Sequence, residues 1–151
     1  MWKKWSLPHK LRKDETMKHS FFEKNGSTYV VFSHLLPARE NNYSHEDVNI
    51  ELLFEVNMWA FKDETPYVTC DVKIDGKTVY STWLNETMKD GKHILDELCD
   101  KIEYDYERYD DSVHDWISYA NVKAARYFVE RLYGYINNDD IRQYILCHIG
   151  I

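Results

Sequence analysis

The chain has 151 residues, 44% of them apolar and 15% aromatic, a composition that excludes disorder and suffices for one domain burying roughly 68–70% of its unfolded surface. Lys and Arg total 19 against 26 Asp and Glu, a net charge of −7, which disfavours direct contact with a phosphate backbone and suits a cationic partner. Cys70, Cys99 and Cys147 are too far apart for a zinc ribbon and too odd in number for a disulfide framework, so they read as small buried apolar residues.

The charge is uneven. Residues 1–18 carry Lys3, Lys4, Lys10, Arg12, Lys13 and Lys18 against Asp14 and Glu15, which leaves 13 of the 19 bases and 24 of the 26 acids in the remainder. A basic arm over 1–18 ahead of a single domain over 19–151 is expected. Trp2 and Trp5 lie in this arm without an apolar run, so it lacks the core of a secretory signal, and nothing further on is long enough to span a bilayer. A cytoplasmic protein follows from this reading.

Asn25-Gly26, with Phe21-Phe22 before it and Thr28 to Leu36 after it, predicts two strands joined by a type I′ turn. Pro37 to Asp47 is polar and aperiodic and reads as an exposed loop. From Ile50 to Met58 apolar residues alternate at period two, the mark of a strand, here a central one. Asp63 to Pro66 forms the next turn. Asp75-Gly76 then closes a second hairpin between Tyr67–Ile74 and Lys77–Leu84, and an uninterrupted register would set Val72 opposite Val79, Cys70 opposite Ser81 and Val68 opposite Trp83.

After Leu84 the period lengthens to 3.6. Ile94, Leu95, Leu98, Ile102 and Tyr106 mark one side of a helix from about Asp90 to Glu107. The longest apolar pattern follows, from Ser112 to Ile136, with Val113, Trp116, Ile117, Ala120, Ala124, Tyr127, Phe128, Leu132 and Tyr135 on one face. Ser112 is its expected N-cap, Asn137-Asn138 its left-handed exit, and 25 residues at 1.5 Å each make a rod of roughly 37 Å. Ile141, Tyr144, Ile145, His148 and Ile149 fit a terminal helix capped by Asn138. The expected fold is α+β: an antiparallel meander of about five strands in the N-terminal two-thirds, covered on one face by two or three C-terminal helices.

Catalytic constellations are sparse. The five glycines are isolated, so no phosphate-cradling loop exists, and no two of the seven histidines sit four apart as helical zinc ligands would. No cofactor or metal is expected. Cys99 has acidic neighbours, which raise rather than lower a thiol pKa.

The distinctive stretch is acidic. Asp96, Glu97, Asp100, Glu103, Asp105, Glu107, Asp110, Asp111 and Asp115 face only Lys101 and Arg108 over twenty residues, and Asp96, Asp100, Glu103 and Glu107 recur at helical spacing away from the apolar side. Tyr104 and Tyr109 are interleaved with them, and tyrosine is enriched where protein surfaces meet. The expected partner-binding set is Asp96, Asp100, Glu103, Tyr104, Glu107, Tyr109, Asp110 and Asp111. Carboxylates one turn apart lie about 6 Å apart, near the roughly 6.8 Å between alternate phosphates of a DNA strand. The sequence therefore points to a small acidic, non-catalytic interaction protein that meets the basic surface of a nucleic-acid-binding protein. Phage inhibitors and immunity proteins share this charge and size, by analogy only. Two other readings stay open: a small metal-dependent or acid–base hydrolase using His45, Asp47 and His114 with nearby carboxylates, and a homo-oligomeric structural subunit.

Overall fold

The structure is a computed structural model that describes residues 17–41, 44–57, 68–84, 94–108 and 118–149. Five strands, β1 (Met17–Lys24), β2 (Ser27–Leu36), β3 (Val48–Asn57), β4 (Val68–Ile74) and β5 (Lys77–Leu84), pair in sequence order with every neighbour antiparallel. Among the described residues three helices follow: α1 (Ile94–Glu107), α2 (Tyr119–Leu132) and α3 (Asn138–Ile149). The fold is the α+β meander that the change of period implies, with β3 in the middle.

Turn chemistry sets the hairpins. Asn25 and Gly26 have φ of 53° and 83°, and Asp75 and Gly76 have 51° and 84°, the paired positive values that a type I′ turn requires and that Asn, Asp and Gly tolerate best. Asp75 also ties its hairpin tip to β3: its N–H donates to the Asn49 carbonyl at 2.8 Å, and its Oδ1 accepts from the Asn49 N–H at 2.8 Å.

Pleat parity then sorts the faces. Val30, Phe32, His34 and Leu36 of β2, Ile50, Leu52, Phe54 and Val56 of β3, and Val68, Cys70, Val72 and Ile74 of β4 are all buried on one side, while the residues between them are half-buried or exposed. The helices occupy the buried side. α1 packs on α2, α3 and β5, α2 also touches β5, and α3 reaches β2. Ile94, Leu95, Leu98, Cys99 and Ile102 of α1 meet Val122, Ala125, Phe128, Val129 and Leu132 of α2 in the same core as the sheet, each large side chain contributing about 1.5–3 kcal/mol of burial.

Several expectations are corrected. In the second hairpin Val72 opposes Tyr80, Cys70 opposes Thr82 and Val68 opposes Leu84, because the ladder slips by one residue between Val72 and Lys73. Val79 is the extra residue, and this β-bulge turns Tyr80, Thr82 and Leu84 to the core side. The helix expected from Ser112 does not run through: Ser118 is extended (φ −81°, ψ 153°) and its side chain accepts from the Asn121 N–H at 3.1 Å, making Ser118 the N-cap. The rod is thus 14 residues long, about 21 Å rather than 37 Å.

Its buried face differs only in part: Phe128, Leu132 and Tyr135 are buried as the period implies, and Ala124 and Tyr127 pack half-buried against the core. Ala120 is exposed, whereas Val122, Ala125 and Val129 are buried; Trp116 and Ile117 precede the cap and lie, with Ser112, outside the described residues. Nor do Asn137 and Asn138 leave α2 through a left-handed residue, since the described non-glycine residues with positive φ are Asn25 and Asp75. Asn137, not Asn138, caps α3, its Oδ1 accepting from the Asp140 N–H at 2.8 Å.

The Pro37–Asp47 segment is not merely an exposed loop. A single 3-10 turn (Ala38–Glu40) leads into Asn41, which is buried; its Nδ2 donates to the carbonyls of Pro37 at 3.0 Å and Glu46 at 3.3 Å, and its Oδ1 accepts from the Ser44 N–H at 2.9 Å. At the other end of the chain's first part, Met17 and Lys18, assigned by sequence to the basic arm, already pair with His34 and Ser33.

Candidate partner-binding face on the first helix

α1 is positioned by its two ends and its apolar side. At its start, Asn138 Oδ1 accepts from the backbone N–H groups of Leu95 at 2.6 Å and Asp96 at 3.2 Å, so a residue 43 positions away caps a helix it does not belong to. Asp96 and Glu97 stand in the first turn, where carboxylates complement the helix dipole. The buried side is Leu95, Leu98, Cys99 and Ile102. What remains is the face where the sequence concentrates its acids.

The fold divides that face in two. Toward α2, Asp96 Oδ1 accepts from the Tyr133 hydroxyl at 3.1 Å, and Glu103 Oε1 accepts from Arg126 Nε at 2.7 Å. Asp105 accepts from the Tyr80 hydroxyl of β5 at 2.5 Å, and Glu97 is buried. Asp96, Glu103 and Asp105 fasten α1 to its neighbours. Their effect reaches the groups they bind: burial first, then the bond and charge of Asp105, raise the Tyr80 phenol well above its usual range, and burial with the nearby Asp96 pushes Tyr133 up to about 12.

Toward solvent, Asp100, Tyr104 and Glu107 are exposed, Tyr104 by 57%, at spacings of four and three residues and hence about 6 and 4.5 Å along the axis. Arg108 lies over the Tyr104 ring at 5.1 Å. Beside this strip, Lys101 Nζ sits 4.1 Å from the ring of Trp83, itself 52% exposed. Such cation–π contacts hold aromatic rings upright at a surface. On the α2 side Arg126 covers Tyr106 at 4.7 Å, and Tyr106 stacks on Tyr119 with ring centroids 5.5 Å apart.

Of the residues expected in the partner-binding set, Asp100, Tyr104 and Glu107 therefore share the solvent-facing strip, Asp96 and Glu103 border α2, and Tyr109, Asp110 and Asp111 lie outside the described residues. The regular one-turn spacing of carboxylates does not survive on the solvent side, because Asp100 and Glu107 are two turns, about 10.5 Å, apart. Trp83 and Lys101 were not anticipated; Trp83 was assigned to a cross-strand pair through a register that the Val79 bulge changes.

The histidine cluster is less developed. His45, Glu46 and Asp47 are exposed, Asp47 Oδ1 accepts from the Ala38 N–H at 2.9 Å, and His114 lies outside the described residues. Among the described residues no three His, Cys, Asp or Glu side chains are grouped to hold a metal ion. Cys70 and Cys99 are buried free thiols; burial, then Asp96 and Asp100, drives the Cys99 thiol far up, away from the thiolate a nucleophile needs. No described helix is long and apolar enough to cross a membrane. Comparison of the chain with protein-family models, with curated proteins and with solved structures finds no match.

Proposed function

We propose that this chain is a small acidic interaction protein whose solvent-facing strip on α1, centred on Asp100, Tyr104 and Glu107, engages a basic surface of a partner, with a nucleic-acid-binding protein the preferred class. The observation that carries the proposal is the division of labour on α1. Carboxylates that touch α2 and β5 fix the helix, and those on its outer side present charge from a rigid base alongside a tyrosine exposed by 57%. A tyrosine held between carboxylates supplies contact area with a polar tip, the composition favoured at binding hot spots. The chain's net charge of −7 steers a cationic partner toward it.

The test is capture from native lysate on the full chain and on the Asp100→Lys/Glu107→Lys variant, with bound proteins identified by mass spectrometry. Glu103 is left unchanged, since reversing it would break the Arg126 pair and disturb the fold. Recovery of a nucleic-acid-binding protein by the native chain, its loss from the variant and its release from nucleic acid on adding the native chain support the proposal. Equal recovery on both chains contradicts it.

A further inference from the structure

The two edges of the sheet are built differently. β5 carries the Val79 bulge and lies under α1 and α2, and bulges and covering helices are the usual means of blunting an edge against other strands. β1 carries no bulge. Its eight residues pair with β2 in unbroken register, and no proline or charge interrupts His19-Ser20-Phe21-Phe22. Among the described residues no strand lies beyond it. Phe21 and Phe22 are 44% and 45% exposed, one on each face of the sheet. β1 is also held firmly from behind: Phe22 stacks on Tyr29 with centroids 4.8 Å apart and planes at 7°, while the His19 ring meets Tyr144 of α3 at 4.3 Å.

We infer that β1 is the pairing edge of a two-fold homodimer, in which two copies join antiparallel β1 to β1 and make a continuous ten-stranded sheet. The hydrogen-bonding direction follows from the turn. Asn25-Gly26 is a two-residue loop, so Lys24 and Ser27 form a hydrogen-bonded pair, and alternation turns the backbone N–H and C=O groups of the odd-numbered residues of β1 to the outer edge. A two-fold axis perpendicular to the sheet pairs residues of equal parity. The register centred on Ser20 matches chemistry to chemistry: Ser20 faces Ser20, Lys18 faces Phe22 of the second copy twice, and His19 faces Phe21 twice. No like charges are opposed, whereas the register centred on Phe21 would set Lys18 against Lys24. Lys18 over Phe22 gains a cation–π contact on each side of the axis, and His19 with Phe21 forms a cross-strand aromatic pair.

The strand carries Lys18 and Lys24 against Glu23 in a chain of net charge −7, so this edge does not share the acidic excess of the rest of the chain. One strand per copy makes a small interface, at or below the roughly 1,200 Å² of standard complexes, so a micromolar dimer is expected rather than a permanent one. β1 and the α1 strip are carried by opposite sides of the sheet order, so dimerisation leaves both acidic strips accessible.

Sedimentation of the full chain, with a register-specific crosslink, tests this. In a Cys147→Ser background, Ser20→Cys places two thiols at a non-hydrogen-bonded pair whose Cα atoms lie about 4.5 Å apart, within disulfide reach. Mild oxidation should link Ser20→Cys chains and leave Phe22→Cys chains largely unlinked, since Phe22 faces Lys18. Phe22→Lys should weaken association about tenfold by opposing Lys18, and Phe22→Lys with Lys18→Glu should restore it. A chain that stays monomeric at about 1 mM, a dimer indifferent to Phe22→Lys, or equal linking at positions 20 and 22 would overturn the inference.

Discussion

Removing the Asn138 side chain should cost more than its place at the start of α3 suggests. Asn138→Ala deletes the oxygen that accepts from Leu95 and Asp96 and so strips α1 of a cap, a loss of about 1 kcal/mol. Leu95 is fully buried, and a backbone N–H left unsatisfied beside it adds a further penalty of about 1 kcal/mol. Together these give about 2 kcal/mol. For a domain of this size each kcal/mol lowers Tm by about 2–4 °C, so calorimetry should record a drop of about 4–8 °C. Asn137→Ala, which exposes only the N–H of the solvent-facing Asp140, should cost about half as much. Amide exchange at Leu95 and Asp96 should accelerate in the first variant and not in the second. An Asn138→Ala chain within about 0.5 kcal/mol of native, or a larger loss from Asn137→Ala, would refute the cross-helix cap.

A double-mutant cycle on Glu103→Gln and Arg126→Gln should give a coupling of about 1 kcal/mol, because the pair is short and its side chains are only 20% and 33% exposed; a coupling under about 0.3 kcal/mol would reduce it to a surface contact. Alkaline stability should fall early. The neutral phenols of Tyr133, held up to about 12, and of Tyr80, held higher still, keep their protons in the fold, while unfolded tyrosine loses its proton near 10. Their stabilisation is complete below pH 10 and is lost as pH rises toward 12 and beyond. Urea midpoints across that window should decline, and Tyr80→Phe/Tyr133→Phe should flatten the decline; an unchanged profile would contradict the assignment. In a Cys147→Ser chain, buried Cys70 and Cys99, both raised by burial, should resist Ellman's reagent at pH 8 until urea is added, and rapid native labelling would disprove their burial.

The architecture was readable wherever one local rule sufficed. Asn25-Gly26 and Asp75-Gly76 demand positive φ at both turn positions, and the alternation from Ile50 through Val56 has one buried face. Legibility failed where a distant partner decides. Nothing local marks Val79 as an extra residue, so a register counted outward from Asp75-Gly76 ran one residue astray. Ser118 is an ordinary N-cap, yet Trp116 and Ile117 continue an apolar period across it and hide the break. Asn138 was recognised as a capping residue, but the helix it caps is chosen by how α3 packs on α1. The acidic stretch was legible as charge; its division was not, because Arg126, Tyr133 and Tyr80 reach it through the fold.

The most direct measurement of the central proposal is the dissociation constant of the captured partner for the native chain, for Asp100→Lys/Glu107→Lys and for Glu103→Gln, across a range of salt. The proposal predicts that the double reversal weakens binding by about 100-fold or more and flattens its salt dependence, as the loss of complementary charges should. Glu103→Gln, altering a carboxylate held by Arg126, should leave affinity within about threefold. Identical constants for all three chains, or weakening by Glu103→Gln alone, would place the binding surface elsewhere than the outer strip of α1.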